Sequence, residues 1–153
     1  MLRPLSPATA EWAAFEAALA GAGLPTEDLA GAGQHFFVLE TAAAFGGYFI
    51  AGPDALLRSV IVPVQAQGHG LGRAMVAALL HQLEEHGVER VWLLTTTAEP
   101  FFERVGFSSA DRRLAPAAIA ATPQFQGVCP SSAAFMCRPL AASTQKQKRL
   151  AIW

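Results

Sequence analysis

Val60-Ile61-Val62-Pro63-Val64-Gln65-Ala66-Gln67-Gly68-His69-Gly70-Leu71-Gly72-Arg73-Ala74 decides how the rest of the chain is read. A β-branched run closes on a proline, crosses a glycine-rich turn and opens into an amphipathic stretch, which is the pattern of a strand feeding a helix. Glycines at 68, 70 and 72 remove Cβ atoms where backbone must come close to something. A helix start adds unpaired N–H groups and the positive end of the helix dipole. Together they make an anion cradle best suited to phosphate, and Arg73 brings a positive charge to the first turn. No Lys-Ser or Lys-Thr pair follows the glycines, so this is not a P-loop, and Arg73 stands where a G-x-G-x-x-G fingerprint needs glycine.

Working outward, Leu56 to Val62 reads as the strand entering the turn, with Arg58 alone among apolar neighbours. Gln34 to Glu40 and Ala44 to Ala51 read as an antiparallel hairpin in which Gly46-Gly47 marks a bulge or a close backbone approach. Before it, Leu2 to Leu5 forms a short strand and Ala8 to Ala20 a helix. Leu24 to Leu29 forms a capped turn or short helix, and Ala30 to Gly33 a connector. Downstream, Leu71, Met75, Val76, Leu79, Leu80 and Leu83 trace one face of a helix that runs to His86 and is capped by Gly87. Val91 to Leu94 is a fully apolar strand continued by Thr95-Thr96-Thr97, and Glu99 to Arg104 a short helix ending at Gly106-Phe107. Pro116 to Ala121 reads as a further helical turn and Ala133 to Arg138 as the last strand. Residues 1–140 then form one α/β (α+β) domain, and 141–153 a loose tail.

With 153 residues, a net charge of −1 and 52% hydrophobic composition, the chain is long enough to bury a core and has no broad basic surface for nucleic acid. Cys129 and Cys137 form neither a C-x-x-C pair nor a disulfide framework, and four scattered histidines lack metal spacing. No stretch reads as a signal peptide or membrane span, so a soluble, cytoplasmic protein is expected.

Gln67-x-x-Gly70-x-Gly72 matches the Q/R-x-x-G-x-G/A turn of the GNAT N-acetyltransferase superfamily, and the element order from residue 2 to 138 agrees with that fold. The resemblance implies a mixed, mostly antiparallel sheet splayed at the cofactor site and flanked by helices, with acetyl-coenzyme A (acetyl-CoA) as co-substrate. By the same likeness, the backbones of Val60 and Val62 pair with the pantetheine arm. Gln67, Gly68, His69, Gly70, Gly72 and Arg73 form the pyrophosphate turn, and Thr95 and Phe102 border the arm's reactive end. Many relatives carry a tyrosine at the position of Phe102 whose hydroxyl protonates the leaving thiolate; Phe102 has no proton to give, so the general acid is unassigned. Leu93 to Thr97 followed by Phe101 to Phe107 resembles the acetyltransferase domain of N-acetylglutamate synthases. With Thr122 to Phe125 and Cys129 to Ser132, it looks still more like small arsenic-resistance-associated N-acetyltransferases. The synthases usually place arginine where this chain has Thr97.

The residues offer two substrate-binding candidates, Arg58 and Thr96. Arg58 either holds an acceptor carboxylate through its two-pronged guanidinium or forms an ordinary ion pair with Asp54 or a glutamate. A base must take a proton from the acceptor amine, and Glu40, His35 and Glu99 are candidates that spacing does not separate. The expected activity is acetyl transfer from acetyl-CoA to the amine of a small amino acid or analogue, by direct attack in a ternary complex. A non-catalytic acyl-CoA sensor is the alternative. The expected partner is a small-molecule amine carrying a carboxylate, with no nucleic acid and no membrane, and homodimerisation is left open.

Overall fold

In the computed structural model, which describes residues 2–24, 26–40, 43–128 and 132–140, seven strands form one sheet in the order β1-β2-β3-β4-β5-β7-β6. The strands are β1 (Leu2–Leu5), β2 (Gln34–Leu39), β3 (Ala44–Ala51), β4 (Asp54–Ile61), β5 (Arg90–Thr95), β6 (Ser108–Ser109) and β7 (Ala134–Pro139). The helices are α1 (Trp12–Gly21), α2 (Leu71–Glu85), α3 (Glu99–Arg104) and α4 (Ala117–Ala120). Every strand pair is antiparallel except β4 with β5. Cys129 and the segment 141–153 lie outside the described residues. No helix of the described residues is long and apolar enough to cross a membrane.

Most elements fall where the periodicity puts them. The expected face of α2 is the buried one: Met75, Val76, Leu79, Leu80 and Leu83 pack with Leu57, Val91, Leu93 and Met136 on one side of the sheet. On the other side, Phe15 and Leu19 of α1 meet Phe36, Val38 and Phe45. The helix α1 begins later than the apolar spacing suggests, because Ser6 to Thr9 closes a turn first: Thr9 N donates to the Ser6 carbonyl (2.8 Å) and Ser6 N to Thr9 Oγ1 (3.0 Å). Short elements without a hydrophobic period were not expected: β6, a 3₁₀ turn at Arg112–Leu114 and a π-helical turn at Gln124–Val128.

Two features of β4 shape the site. At its start, buried Asp54 accepts hydrogen bonds from Arg90 Nε (3.0 Å) and Nη2 (3.2 Å) and from Trp92 Nε1 (2.9 Å). These bolt β4 to β5, yet the pairing runs only from Asp54↔Arg90 to Leu56↔Trp92, and beyond it the strands part. Further along, Phe45 pairs with Ile61 and Gly47 with Arg58, so β4 carries one residue more than β3 over the same span. The extra residue is taken up at Ser59, whose φ of 57° is left-handed, and a bulge of this kind bends its strand. Gly46-Gly47 opposite is a close approach: a Cβ on Gly47 would lie 2.3 Å from the His35 carbonyl oxygen, and one on Gly46 2.8 Å from Leu79 Cδ1.

Candidate active site

Where β4 and β5 diverge, a cavity of about 280 Å³ opens. It is lined by residues 57–61 of β4, by 93–98 at the end of β5, by Phe102 of α3, by Ala22 to Leu24 after α1, and by Ala133. The splay expected from the resemblance is therefore present, made by strand edges without ladder partners. Such edges are amide-recognition surfaces, because their N–H and C=O groups are free to pair with an extended polar chain.

The glycine turn stands beside this opening. Gly70 is the N-cap of α2 in left-handed geometry (φ 74°) and Gly68 is also left-handed (φ 86°). These two need glycine for their backbone angles. Gly72 does not; a Cβ there would point between Phe101 (3.5 Å) and Val62 (3.7 Å), which places the first turn of α2 between the end of β4 and α3. The turn's polar side chains brace it internally. Gln67 Nε2 donates to the Val62 carbonyl (3.0 Å), tying the turn to the strand end, and His69 Nδ1 lies 3.3 Å from the Ala66 carbonyl oxygen. Arg73 is exposed on the first helical turn. The residues fit a bound diphosphate: a 15-residue helix opens its first N–H groups at a turn where a Cβ on Gly68 or Gly70 would meet nothing within 4 Å.

At the other wall, Thr95 Oγ1 accepts from Ala98 N (3.1 Å), fixing the turn into α3, while Thr96 lines the cavity and is exposed. Phe102 is 8% exposed and packs edge-to-face on Phe101 and Phe107 at 5.0 and 5.7 Å. The only tyrosine in the sequence, Tyr48, lines a different groove on the α2 side, where its hydroxyl donates to Gln82 Oε1 (2.9 Å) and burial pushes its pKa up. No phenol of this chain serves the cavity.

The base candidates are not brought together. His35 is exposed and lines the Tyr48 groove, and Glu40 is exposed with left-handed backbone (φ 56°) where β2 turns toward β3. Glu99 opens α3 and accepts from Ser109 Oγ (3.1 Å). None of the three lines the cavity. Cys137 on β7 does not line it either, and burial pushes its thiol up to about 11, so it is a poor nucleophile.

Arg58 brings a correction. Its side chain is 4% exposed and its guanidinium is held two-pronged by Asp28, Nη2 reaching Oδ1 at 2.7 Å. Gln34 Oε1 accepts from Nη1 (3.1 Å), Ser59 Oγ from Nε (3.0 Å), and the guanidinium carbon sits 5.2 Å from the centre of the Phe36 ring. Gln124, with its amide turned to suit these neighbours, donates to Asp28 Oδ2 (3.2 Å) and accepts from Arg58 Nε (2.8 Å) and Nη1 (2.7 Å). A guanidinium so surrounded is not free to hold an acceptor carboxylate. Its ion-pair partner is neither Asp54, which Arg90 and Trp92 occupy, nor a glutamate. Asp28 is the residue sequence reasoning missed; its signal was only an acid beside Leu29 in a turn otherwise read as capping.

Residues 32–109, from just before β2 through β6, match the family model described as an acetyltransferase (GNAT) domain. The chain belongs to the GNAT acetyltransferase family. Acetyl-CoA-dependent acyl transfer is the activity of that family, and the parted strands and the glycine turn lie within the matched residues. Solved structures share the fold at low identity. N-acetylglutamate synthase from Neisseria gonorrhoeae, complexed with coenzyme A and N-acetyl-glutamate, is 15% identical with a TM-score of 0.71 over 92% of this chain. This GNAT chain spans only 35% of that synthase. Rv2747 from Mycobacterium tuberculosis, in complex with CoA and NLQ, is 21% identical with a TM-score of 0.69, covering 92% of this chain and 99% of that one. The ribosomal-protein-S18-alanine N-acetyltransferase from Escherichia coli is 22% identical with a TM-score of 0.65, covering 92% and 93%. No curated protein matches by sequence.

Proposed function

We propose that this enzyme moves acetyl from acetyl-CoA to the amine of a small amino acid or amino-acid analogue, by direct attack with both molecules bound. The observation that carries the reading is the cavity between β4 and β5, open along 57–61 and 93–98, with the α2 turn beside it. In this reading the N–H groups of Gly70, Leu71, Gly72 and Arg73 hold the pyrophosphate, with Gly68 keeping the approach clear. Gln67 and His69 act by bracing the turn. The backbones of Val60 and Val62 pair with the pantetheine amides, and Thr95, Thr96 and Phe102 wall the reactive end. The co-substrate supplies an acetyl group already activated as a thioester. The protein contributes position, a backbone hydrogen bond to the carbonyl where charge develops, and exclusion of water by Phe102 and the leucines around it.

Among the described residues no carboxylate or imidazole lines the cavity. The acceptor therefore enters as the free amine, having lost its proton to water at the mouth, and no cysteine relay is needed. A thiol-release assay across a panel of amino acids and simple amines tests the proposal, with the acetylated product identified by mass. Turnover on small amino acids supports it. Tight coenzyme A binding with no turnover on any amine would favour the acyl-CoA sensor instead.

A further inference from the structure

Beside the main opening lies a second cavity of about 50 Å³, bounded by Leu24, Leu56, Leu57 and Leu94, with Arg58, Ser59 and Gln124 completing its wall. It adjoins the larger cavity, since Leu24, Leu57, Arg58, Ser59 and Leu94 line both. Four leucines give an apolar lining. The charge in the wall is already matched: Arg58 and Asp28 have side chains 4% and 7% exposed and hold each other, with Gln34 and Gln124 filling their remaining hydrogen-bonding positions. A charged group entering here would leave water without a counter-ion, which is costly, whereas an alkyl group would lose nothing. On the same measure one water needs roughly 10–15 Å³, so the space suits a side chain of about three or four carbons.

We propose that this cavity is the subsite for the acceptor's side chain and that it selects a short, uncharged, mainly aliphatic one; this rests on the acetyltransferase reading above. The Asp28–Arg58 pair acts as a positioning and neutralising device. It ties the segment after α1 to the reacting strand and cancels the one charge among the described residues lining the two cavities, the charge that would attract an acidic side chain.

The test compares valine and norvaline with glutamate and lysine, both as acetyl acceptors and as titrants of the enzyme–coenzyme A complex in a calorimeter. The neutral pair is expected to win by about tenfold or more in kcat/KM and in affinity, the scale of discrimination a small pocket gives. Asp28→Asn, which leaves Arg58 uncompensated, should shift the glutamate-to-valine ratio toward glutamate by about tenfold. Should that variant fold poorly, the double replacement Asp28→Leu with Arg58→Met removes both charges and should retain the neutral preference. Leu24→Trp, filling the cavity, should raise KM far more for norvaline than for glycine. Glutamate preferred over valine by the unaltered protein would overturn the proposal, as would an equal rise for glycine and norvaline in Leu24→Trp. Because the calorimetric arm reads selection without turnover, loss of the acetyl-transfer reading and loss of the subsite give different results.

Discussion

Ser59 has left-handed backbone in the middle of a strand, where a non-glycine residue is unusual. Side chains of neighbouring strand residues ordinarily point to opposite faces; at this bulge Arg58 Nε and Ser59 Oγ come within 3.0 Å of each other. No property of serine announces this, which is why the sequence points to Arg58 but not to its partners. Gly68 and Gly70 were legible as places for a close backbone approach, while their positive φ, which glycine supplies, is seen only in the fold. Phe102 was legible too as a ring without a proton, and it yields a prediction at this scale. Phe102→Tyr adds a hydroxyl to a ring that both lines the cavity and packs on Phe101 and Phe107. If the hydroxyl reaches the cavity, the thermal midpoint should hold and turnover should rise at high pH. If it is buried without a partner, a loss of about 1–3 kcal/mol is expected on denaturant unfolding. Loss of activity in a variant that keeps its stability would mean that the ring's shape alone decides this position.

Among elements, the decisive one is α2 with its turn. Its apolar stripe, glycine start and position after a β-branched strand were readable from residues 60–86, because each follows from local chemistry. The parting of β4 from β5 was reached only through family likeness. It depends on where the Asp54–Arg90–Trp92 bolt ends, a contact across 36 to 38 residues that no local pattern encodes. Gly72→Ala separates fold from function here. A Cβ at 72 meets Phe101 and Val62 at ordinary contact distance and the backbone angle is unstrained, so the fold accepts it. Alanine in a helix is favoured over glycine by roughly 1 kcal/mol, so stability should hold or rise. Coenzyme A affinity measured by calorimetry should nonetheless fall about tenfold or more, since the methyl enters the cleft between the strand end and α3. Unchanged affinity would move the cofactor away from this turn.

For the whole molecule, the order of elements along the chain and the two packed faces follow from the hydrophobic pattern, while the loops over the acceptor side carried little signal. The segments 26–33 and 110–128 are small-residue and polar stretches whose structure is set by tertiary contacts such as Asp28 with Arg58. A cavity with no titrating base among its described residues makes a prediction at this scale. The pH profile of kcat/KM should follow the acceptor's own amine pKa, shifting when an acceptor of lower amine pKa is used. A rising limb fixed at one pH for all acceptors would instead reveal an enzymic base, and Glu99, Glu40 and His35 would be replaced in turn to find it.

In the proposed binding mode the parted strands and the glycine turn hold acetyl-CoA together. Amide hydrogen exchange of the protein with and without coenzyme A reads this most directly, segment by segment. Slowed exchange is expected at residues 57–62, 68–74 and 95–98, with the groove of His35 and Tyr48 unaffected. Protection centred on that groove, or none in the turn at a concentration where coenzyme A is bound, would contradict the claim.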